Sequence, residues 1–517
     1  MEKISKVLLS LRHQLHRPID VALFSFVVSL FTAIAYHAPL MRAIIGGEGS
    51  WLIIGSFVVL LVVVNFFISY LLLYLGRMVG RVMMALLTVG NALALYFIDT
   101  YEVLLTRQMM GNVFNTRYSE ASSYFGLDAA LYLLILGVVP AIYILLRRAD
   151  YGTLRRFALS VVTSVIVVVG VVAANMNSVL WVDRHATTVG SLVLPWSYVV
   201  NSVRQYNHMQ MLNRKPIMLP EATIIDDERD VVVLVIGESA RSANFSLYGY
   251  ERETNPLLKG DSVVALRARA SATYTTEGVK AILSHKRVKE YYEPLPDYLA
   301  RAGVDVLWRT TNWGEPPLHA VERYHKARDI ERLYPDVDAK YDEVHLAGLG
   351  QEIRRSAQAK QLIVLHTTTS HGPEYDKRYP ATFRCFTPVC TTVEMSKADR
   401  RELINAYDNT ILYTDYLLHS VIEVLRSVEG VRATMIYVSD HGESLGEDNL
   451  YMHGVPLDMA PREQTDIPFI VWTSDGAPLR DDLALVGHYH VFHSILGRLA
   501  IDSPIYDASR DIFACGE

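Results

Sequence analysis

The sequence predicts a membrane anchor of five α-helices followed by a soluble α/β domain with a mostly parallel central sheet. Five long apolar segments lie in the first third of the 517-residue chain. Each approaches or exceeds the roughly 20 residues that cross a bilayer as a helix. From residue 231 onward, short apolar runs alternate with amphipathic ones, as strands and helices alternate along an α/β sheet.

The predicted membrane helices cover residues 21–41, 51–75, 82–105, 127–146 and 157–182. The second contains "SFVVLLVVVNFFISYLLLYL", which has no polar face and so excludes a soluble helical bundle. No small-residue cleavage pattern follows the first segment, so it is not a cleaved signal peptide. Lys and Arg are concentrated at the N-terminus and in the second and fourth loops, which should therefore be cytoplasmic. Five crossings then place the chain after about residue 182 outside, in the periplasm of a Gram-negative cell.

The segment that follows the last membrane helix predicts a connection along the bilayer surface. "TTVGSLVLPWSYVVNSVRQYNHM" mixes aromatic, apolar and basic residues, as interfacial helices do. A polar linker then ends near Asp230. The predicted domains are residues 1–184, the transmembrane domain, residues 185–229, the interfacial helix and linker, and residues 230–517, the periplasmic α/β domain.

Composition limits the possible partners and the cysteine chemistry. The formal net charge of −6 and the 20% share of charged residues give no basic field for nucleic acid. Cys385 and Cys390 are close enough in sequence for a local disulfide, but two unpaired thiols are an equal alternative.

The α/β domain has five predicted strands and two predicted helices. The strands cover residues 231–236, 304–308, 361–367, 433–438 and 467–472. The helical segments are "EPLPDYLARAG" and "RRELINAYDNTILYTDYLLHSVIEVLRS". No repeat interrupts this alternation, which indicates a sheet with helices on both faces.

Acidic and histidine side chains follow three of these strands. Glu238 follows the first, His371 the third, and Asp440 and His441 the fourth. Ligands in such sheets gather at the carboxyl ends of the strands, so these side chains should converge. A carboxylate and a neutral imidazole suit Zn²⁺, and a catalytic zinc keeps one position open for the reacting group.

A metal-bound hydroxyl would be an activated nucleophile. The stretch "RASATYTTEGVKAIL" supplies candidates before a helix-like run, whose N-terminus would favour a phosphate. The sequence alone does not choose among the candidates, which are Ser271, Thr273, Thr275 and Thr276.

A second polar pattern lies in the third membrane loop. Asn112, Thr116 and Glu120 are spaced i, i+4, i+8, which places them on one face of a helix. Such a stripe could bind a lipid head group, and a solvated helix face is the alternative.

Four motifs, in order along the chain, resemble the phosphoethanolamine transferases. They are "VVVLVIGESARSANFSLYGYERETNPLL", "SHGPEYDKRYP", "INAYDNTILYTD" and "SDHGESLGEDNLYMHGVP". These bacterial inner-membrane enzymes modify lipid A and related surface glycolipids, and they include the mobile colistin-resistance enzymes. The family belongs to the alkaline phosphatase and sulfatase superfamily, which implies an α/β fold with metal at the strand ends.

The resemblance implies a role for each candidate residue. The zinc site of the family maps onto Glu238, Asp440 and His441. Its nucleophilic threonine, which also binds the zinc, falls on Thr276.

Two further histidines of the family, which bind the phosphoryl group or a second zinc, match His371 and His453. The lipid head-group residues match Asn112, Thr116 and Glu120, which favours function for that stripe.

Several positions depart from the family. A disulfide flanks the nucleophile in many relatives, where this chain has Ala272 and Ile282. Cys390 matches a family cysteine whose usual partner position is Ala398, so a rearranged bridge to Cys385 is possible. A lysine found near the active site of some relatives is absent from "RTTNWGEPPLH". The departures put the choice of acceptor, rather than donor chemistry, in doubt.

The resemblance implies a zinc-dependent transfer of phosphoethanolamine from phosphatidylethanolamine through a phosphothreonine, with release of diacylglycerol. The acceptor would be lipid A or another surface glycolipid, and a less anionic surface would bind polymyxins less. A monomer in the inner membrane is the expectation. The alternatives are a related phosphoglycerol transferase or sulfatase-type hydrolase, and a non-catalytic membrane sensor. No Cys- or Ser-x-Pro-x-Arg motif of sulfatases stands near Thr276, and retention of every proposed ligand argues against a sensor.

Overall fold

The chain folds into two compact units. The computed structural model describes residues 18–46, 51–116, 125–175, 179–212, 215–288, 290–391, 395 and 398–513. The units are Met1–Tyr206 and Asn207–Glu517, so their boundary falls inside the predicted connection 185–229. The predicted domain limits at residues 184 and 230 stay predictions.

Long apolar helices form the first unit. They are α1 (Val21–Tyr36), α2 (Ala38–Gly46), α3 (Trp51–Tyr101), α4 (Arg107–Asn115), α5 (Leu127–Leu146) and α6 (Leu154–Ala174). Among the described residues, α3, α5 and α6 are each long and apolar enough to cross a membrane. A fourth span results if α1 and α2, which are bent by 58° at their junction, are counted as one.

The longest helix, α3, is interrupted near its middle. Its 51 residues would measure about 76 Å as one straight helix, against a hydrocarbon core of about 30 Å. Arg77 breaks it with φ 46° and ψ −109°. A Cβ built on Gly80 would lie 1.9 Å from the carbonyl oxygen of Leu72, which requires the chain to fold back. The predicted number of five spans depends on counting the two halves separately, and it stays a prediction.

Two helices, rather than the single predicted one, follow α6. They are α7 (Val179–Leu192) and α8 (Trp196–Leu212). Pro195 separates them, because proline lacks an N–H and restricts the residue before it. The N–H of Leu194 instead donates to Nε2 of His37 at 3.1 Å. The predicted membrane segment 157–182 therefore ends early, and its last residues start α7.

An eight-stranded sheet organises the second unit. Its strands are β1 (Asp230–Gly237), β2 (Val264–Arg269), β3 (Asp305–Thr310), β4 (Arg323–Lys326), β5 (Lys360–His366), β6 (Arg432–Ser439), β7 (Asp466–Thr473) and β8 (Val486–Gly487). The order across the sheet is β8-β2-β7-β6-β1-β5-β3-β4. Only β7 of these eight runs antiparallel to its neighbours, which confirms a mostly parallel sheet. All five predicted strands exist, whereas β2, β4 and β8 are short or half-exposed and lacked a clear apolar run.

Helices cover both faces of the sheet. They are α9 (Thr275–Ile282), α10 (Leu295–Arg301), α11 (Ala327–Leu333), α12 (Leu349–Arg355), α13 (Arg400–Arg426), α14 (Arg462–Thr465) and α15 (His488–Arg498). Short strand pairs add Ile19–Asp20 with Ala149–Asp150, Thr223–Ile224 with Ile501–Asp502, and Ser444–Leu445 with Tyr451–Met452.

Two hydrophobic cores result from the alternation of side chains along the buried strands. On β1, Val232, Leu234 and Ile236 face the core that contains α9, α10 and α15. The intervening valines face the core that contains α13. Both faces of β1 are therefore apolar, as expected for a central parallel strand. Polar side chains concentrate where the strands end.

The local disulfide that the sequence left open is not formed. Cys385 is an exposed free thiol, and Cys390 is buried in the core beneath α13. The third cysteine, Cys515, lies outside the described residues.

Candidate active site

Three acidic and histidine side chains converge where β1 and β6 end. Glu238 follows β1, and Asp440 and His441 follow β6, its hydrogen-bonded neighbour. All three are fully buried, at 0% exposure. One ligand atom from each lies within 4.8 Å of the others. These three side chains thus lie together at the strand ends, where the sequence predicted that they would converge.

The geometry of this cluster fits a metal ion. Nε2 of His441 lies 3.3 Å from Oε1 of Glu238 and 3.4 Å from Oδ2 of Asp440. Nδ1 of His441 donates to the carbonyl of Gly442 at 2.9 Å, so Nε2 is turned toward the carboxylates as a ligand would be. Oδ1 of Asp440 accepts two backbone N–H bonds, but its Oδ2 is buried without a hydrogen-bond partner. A buried, unpaired carboxylate oxygen beside a second carboxylate is suited to a cation.

Glu238 shifts the pKa values of both Asp440 and His441. Burial, together with the nearby Glu238 charge, raises the pKa of Asp440 well above its ordinary range. Burial also disfavours a charged Glu238, but hydrogen bonding to His441 outweighs it and holds the pKa of Glu238 well below the ordinary value. For His441 burial opposes protonation, yet the bond to Glu238 raises its pKa.

The structure brings Thr275, rather than the predicted Thr276, to this cluster. Oγ1 of Thr275 donates to Oε2 of Glu238 at 3.1 Å and lies 3.5 Å from Nε2 of His441. Thr276, which the structure also describes, makes no hydrogen bond to either side chain. Successive helical residues point about 100° apart, so only one of the two threonines can face the carboxylates.

Close helix packing fixes the position of Thr275. It is the first residue of α9, and it is 1% exposed. A Cβ built on Gly278 would lie 2.4 Å from the carbonyl oxygen of Asp440, so glycine lets α9 approach the end of β6. The side chain of Tyr274, the residue before α9, does not cap the N-terminus of this helix.

His453 and His371 lie beside the cluster, as predicted. The ring of His453 is 4.2 Å from that of His441 and 6.0 Å from that of His371. Nδ1 of His453 pairs with Oε2 of Glu443 at 2.7 Å. Nδ1 of His371 lies 3.2 Å from Nη2 of Arg378. Burial lowers the pKa of His371 to about 3, so its ring is neutral.

Two residues that the sequence analysis missed complete the site. Asn312, after β3, donates to Oε2 of Glu238 at 2.7 Å and to the carbonyl of Thr367 at 2.8 Å. Glu443 forms a second possible metal-binding group with His441 and His453. Both residues come shortly after a strand, Asn312 after β3 and Glu443 within "SDHGES" after β6. The position of a polar side chain after a strand could therefore have identified both.

The predicted head-group stripe is not one helical face. Asn112 lies in α4, but the helix ends at Asn115, and Thr116 is its C-cap with φ −59° and ψ 128°. Oγ1 of Thr116 donates to the carbonyl of Asn112 at 2.8 Å. Oδ1 of Asn112 is buried without a hydrogen-bond partner. Glu120 lies outside the described residues, so its role stays a prediction.

Comparison with known proteins identifies the family. A family model described as phosphoethanolamine transferase EptA/EptB matches residues 60–209, and the sulfatase family model matches residues 230–501. The chain is 34% identical over 499 residues to phosphoethanolamine transferase EptA of Helicobacter pylori, covering 93% of this chain and 94% of the relative.

The chain belongs to the phosphoethanolamine transferases.

Further similarities extend over both units of this transferase. It is 31% identical to phosphatidylethanolamine transferase Mcr-1 of Escherichia coli, over 77% of this chain and 79% of the relative. The structure of the integral membrane lipooligosaccharide phosphoethanolamine transferase EptA from Neisseria meningitidis aligns with a TM-score of 0.83 at 26% identity. That alignment covers 95% of this chain and 97% of the other. The predicted family and fold class are therefore confirmed, and the chain is an enzyme with apolar membrane helices and a sulfatase-like domain.

Proposed function

We propose that this transferase moves phosphoethanolamine from phosphatidylethanolamine to lipid A or another surface glycolipid, through a phosphothreonine on Thr275, and releases diacylglycerol. The placement of the Thr275 hydroxyl within the Glu238–Asp440–His441 cluster carries the proposal. The name of the Neisseria relative specifies a lipooligosaccharide acceptor.

The transfer has two steps in which Thr275 is first nucleophile and then leaving group. Oγ1 of Thr275 bonds to the donor phosphorus, and the bond from phosphorus to the glycerol oxygen breaks. The hydroxyl proton is lost, and diacylglycerol leaves after taking up a proton. An oxygen of the acceptor then bonds to the phosphorus, and Oγ1 of Thr275 regains a proton. Each step exchanges one P–O bond for another.

Glu238, Asp440 and His441 would hold a zinc ion, with Oγ1 of Thr275 as a further ligand. The bound ion would lower the pKa of the Thr275 hydroxyl and offset charge on the phosphoryl oxygens. Asn312 supports this arrangement, because its bonds to Glu238 and to the carbonyl of Thr367 fix the carboxylate.

The tautomer of His371 favours phosphate binding over a second metal. A guanidinium only donates hydrogen bonds, so Nδ1 of His371 must accept from Arg378. The neutral ring then carries its hydrogen on Nε2 and presents a donor to a phosphoryl oxygen. Nδ1 of His453 donates to Oε2 of Glu443, so its Nε2 is left as an acceptor and would suit a second metal ion rather than a phosphoryl oxygen.

The N-terminus of α9 adds a further anion-binding element. The helix begins at the proposed nucleophile itself, and the side chain of Tyr274 does not cap it. The positive end of the helix dipole favours a phosphoryl group at Thr275.

The membrane unit would hold the enzyme in the inner membrane with the catalytic domain in the periplasm, as the charge of the loops predicts. Both proposed substrates are lipids, so anchoring shortens the search for them. Asn112, Thr116 and Glu120 are the proposed contacts for the donor head group, and the buried, unpartnered Oδ1 of Asn112 supports this role for one of them. Phosphoethanolamine adds an amine to the surface, which would weaken the binding of polymyxins.

A pair of adjacent variants tests the nucleophile. We expect intact-mass analysis after incubation with phosphatidylethanolamine to detect a phosphoethanolamine adduct on the unmodified protein and on Thr276→Ala. Thr275→Ala should show no adduct and should lose transfer by at least about 100-fold, because the attacking oxygen is gone. An adduct that survives in Thr275→Ala but disappears in Thr276→Ala would return the role to the residue predicted from the sequence.

A further inference from the structure

The loop after β3 lies directly against the nucleophile. Asn312 binds Glu238, as described above. Two residues later, a Cβ built on Gly314, whose φ is +99°, would lie 3.2 Å from the methyl group of Thr275. The backbone at Gly314 thus lies beside the side chain of Thr275, and the next residue along this loop is Glu315.

The carboxylate of Glu315 is only partly satisfied by the protein. Its Oε1 accepts a hydrogen bond from the hydroxyl of Tyr324. Its Oε2 is buried without a hydrogen-bond partner and lies 3.5 Å from Nδ1 of His366. Burial favours the neutral acid, but His366 and Tyr324 outweigh it and lower the pKa of Glu315, so the group is an anion. The side chain as a whole is 13% exposed.

Glu315 and the metal cluster occupy the same face of the sheet. His366 pairs with Ile236 across β5 and β1, and strands of a sheet lie about 4.8 Å apart. Ile236, like Glu238 two residues later, points to the face on which α9 packs. Glu315, held beside His366, therefore lies on the same face of the sheet as Glu238.

We propose that Glu315 is the specificity residue that binds the ammonium group of the transferred phosphoethanolamine. Two carbon atoms separate the ester oxygen of this group from its nitrogen, so the ammonium must be bound within a short distance of Thr275. An ammonium that leaves water needs an anionic acceptor, and a carboxylate with one unpaired oxygen provides it. The empty hydrogen-bonding position on Glu315 Oε2 is thus filled when substrate binds.

This inference rests on the proposed function, in which phosphatidylethanolamine is the donor. Assays with two different donor lipids distinguish a failure of the inference from a failure of the proposed function. The full-length transferase would be assayed in detergent micelles with phosphatidylethanolamine and with phosphatidylpropanol of the same acyl chains, which replaces the ammonium by a methyl group. Diacylglycerol release gives kcat and KM for each donor. We expect the unmodified enzyme to prefer phosphatidylethanolamine about 10- to 100-fold in kcat/KM, the range for one charge-assisted hydrogen bond.

The variant Glu315→Gln should lose this preference through a higher KM for phosphatidylethanolamine, with kcat nearly unchanged and phosphatidylpropanol unaffected. Glu352→Gln is the matched control, because Glu352 also accepts a tyrosine hydroxyl, that of Tyr334 at 2.7 Å, but lies in α12. The Glu352→Gln variant should keep the full preference for phosphatidylethanolamine over phosphatidylpropanol. Should Glu315→Gln not fold, Tyr324→Phe, which frees Oε1 of Glu315, should still alter the preference.

Three results would overturn the inference. They are an unmodified enzyme that uses both donors equally, a Glu315→Gln variant that keeps the full preference, and a Glu315→Gln variant that loses turnover equally on both donors. The last would assign Glu315 a structural ion pair with His366. If the unmodified enzyme releases no diacylglycerol from either donor, the proposed function fails first and the inference falls with it.

Discussion

His488 joins two segments that carry proposed catalytic residues. It begins α15 and is fully buried. Its Nδ1 accepts from the N–H of Ser271, shortly before Thr275, at 3.3 Å. Its Nε2 donates to the carbonyl of Ser439, directly before Asp440, at 3.0 Å. Only the neutral ring can make both bonds, because a protonated ring has no acceptor.

The stability of the catalytic unit should therefore fall as the pH drops below about 6.5. Burial lowers the pKa of His488 to about 4 in the folded state, so the unfolded chain binds more protons between these values. The contribution is fully present above pH 6.5 and is lost toward pH 4, and it amounts to about 3 kcal/mol. Denaturant unfolding from pH 4 to 7 should show a weaker pH dependence in His488→Gln than in the unmodified protein. Equal slopes would contradict this role for His488.

At the scale of elements, the approach of α9 to the end of β6 sets the geometry of the site. Alanine in place of a helical glycine usually stabilises a helix by about 1 kcal/mol. At Gly278 the added methyl would meet the backbone carbonyl of Asp440 at 2.4 Å, which no side-chain rotation can relieve. Helix α9 would have to move, and Thr275 would move with it.

We expect Gly278→Ala to destabilise the catalytic unit by about 1–3 kcal/mol and to reduce transfer strongly. Gly260→Ala is the control, since a Cβ built there meets nothing within 4 Å. It should leave activity unchanged and the unit equally or slightly more stable. Thermal unfolding and the rate of adduct formation on Thr275 measure the two effects. Full activity in Gly278→Ala would contradict the close approach of α9 to the end of β6.

At the scale of the whole molecule, the buried carboxylates couple metal binding to folding. Glu238 and Asp440 are brought together only when β1 and β6 pair, so the unfolded chain has no such site. A cation that binds only the folded state stabilises it, by about 2.7 kcal/mol at a concentration 100 times its Kd.

Zinc should therefore raise the unfolding temperature of the chelator-treated transferase, and a chelator should lower it again. Asp440→Asn should lose the zinc-dependent shift, because it removes a ligand. Its metal-free form should be about as stable as the unmodified one, because burial beside Glu238 already favours the uncharged form of Asp440 and asparagine is also uncharged. Asp482→Asn, at an exposed ion pair with Arg480, is the control that should respond to zinc normally. An unchanged shift in Asp440→Asn would exclude it as a ligand.

The sequence by itself determined the elements whose patterns are local. Membrane helices appear as long apolar runs, central strands as continuous branched apolar runs, and Glu238, Asp440 and His441 stand where those strands end. A segment that is buried on all sides is apolar along its whole length, so the pattern is visible in that segment alone. The half-exposed strands and the helix break at Pro195 were harder to predict from the sequence, because they depend on contacts with residues that are distant along the chain.

Only the tertiary structure decided which of two adjacent threonines faces the carboxylates. Thr275 and Thr276 are equivalent in residue type, and their difference is the rotation of α9, which its packing against β6 sets. Asn312 and Glu315 likewise gain their roles from the pairing of β3 with β5, which brings residues far apart in sequence to one edge of the sheet. The sequence gives the chemical type of each side chain, whereas packing determines the distances and directions between side chains.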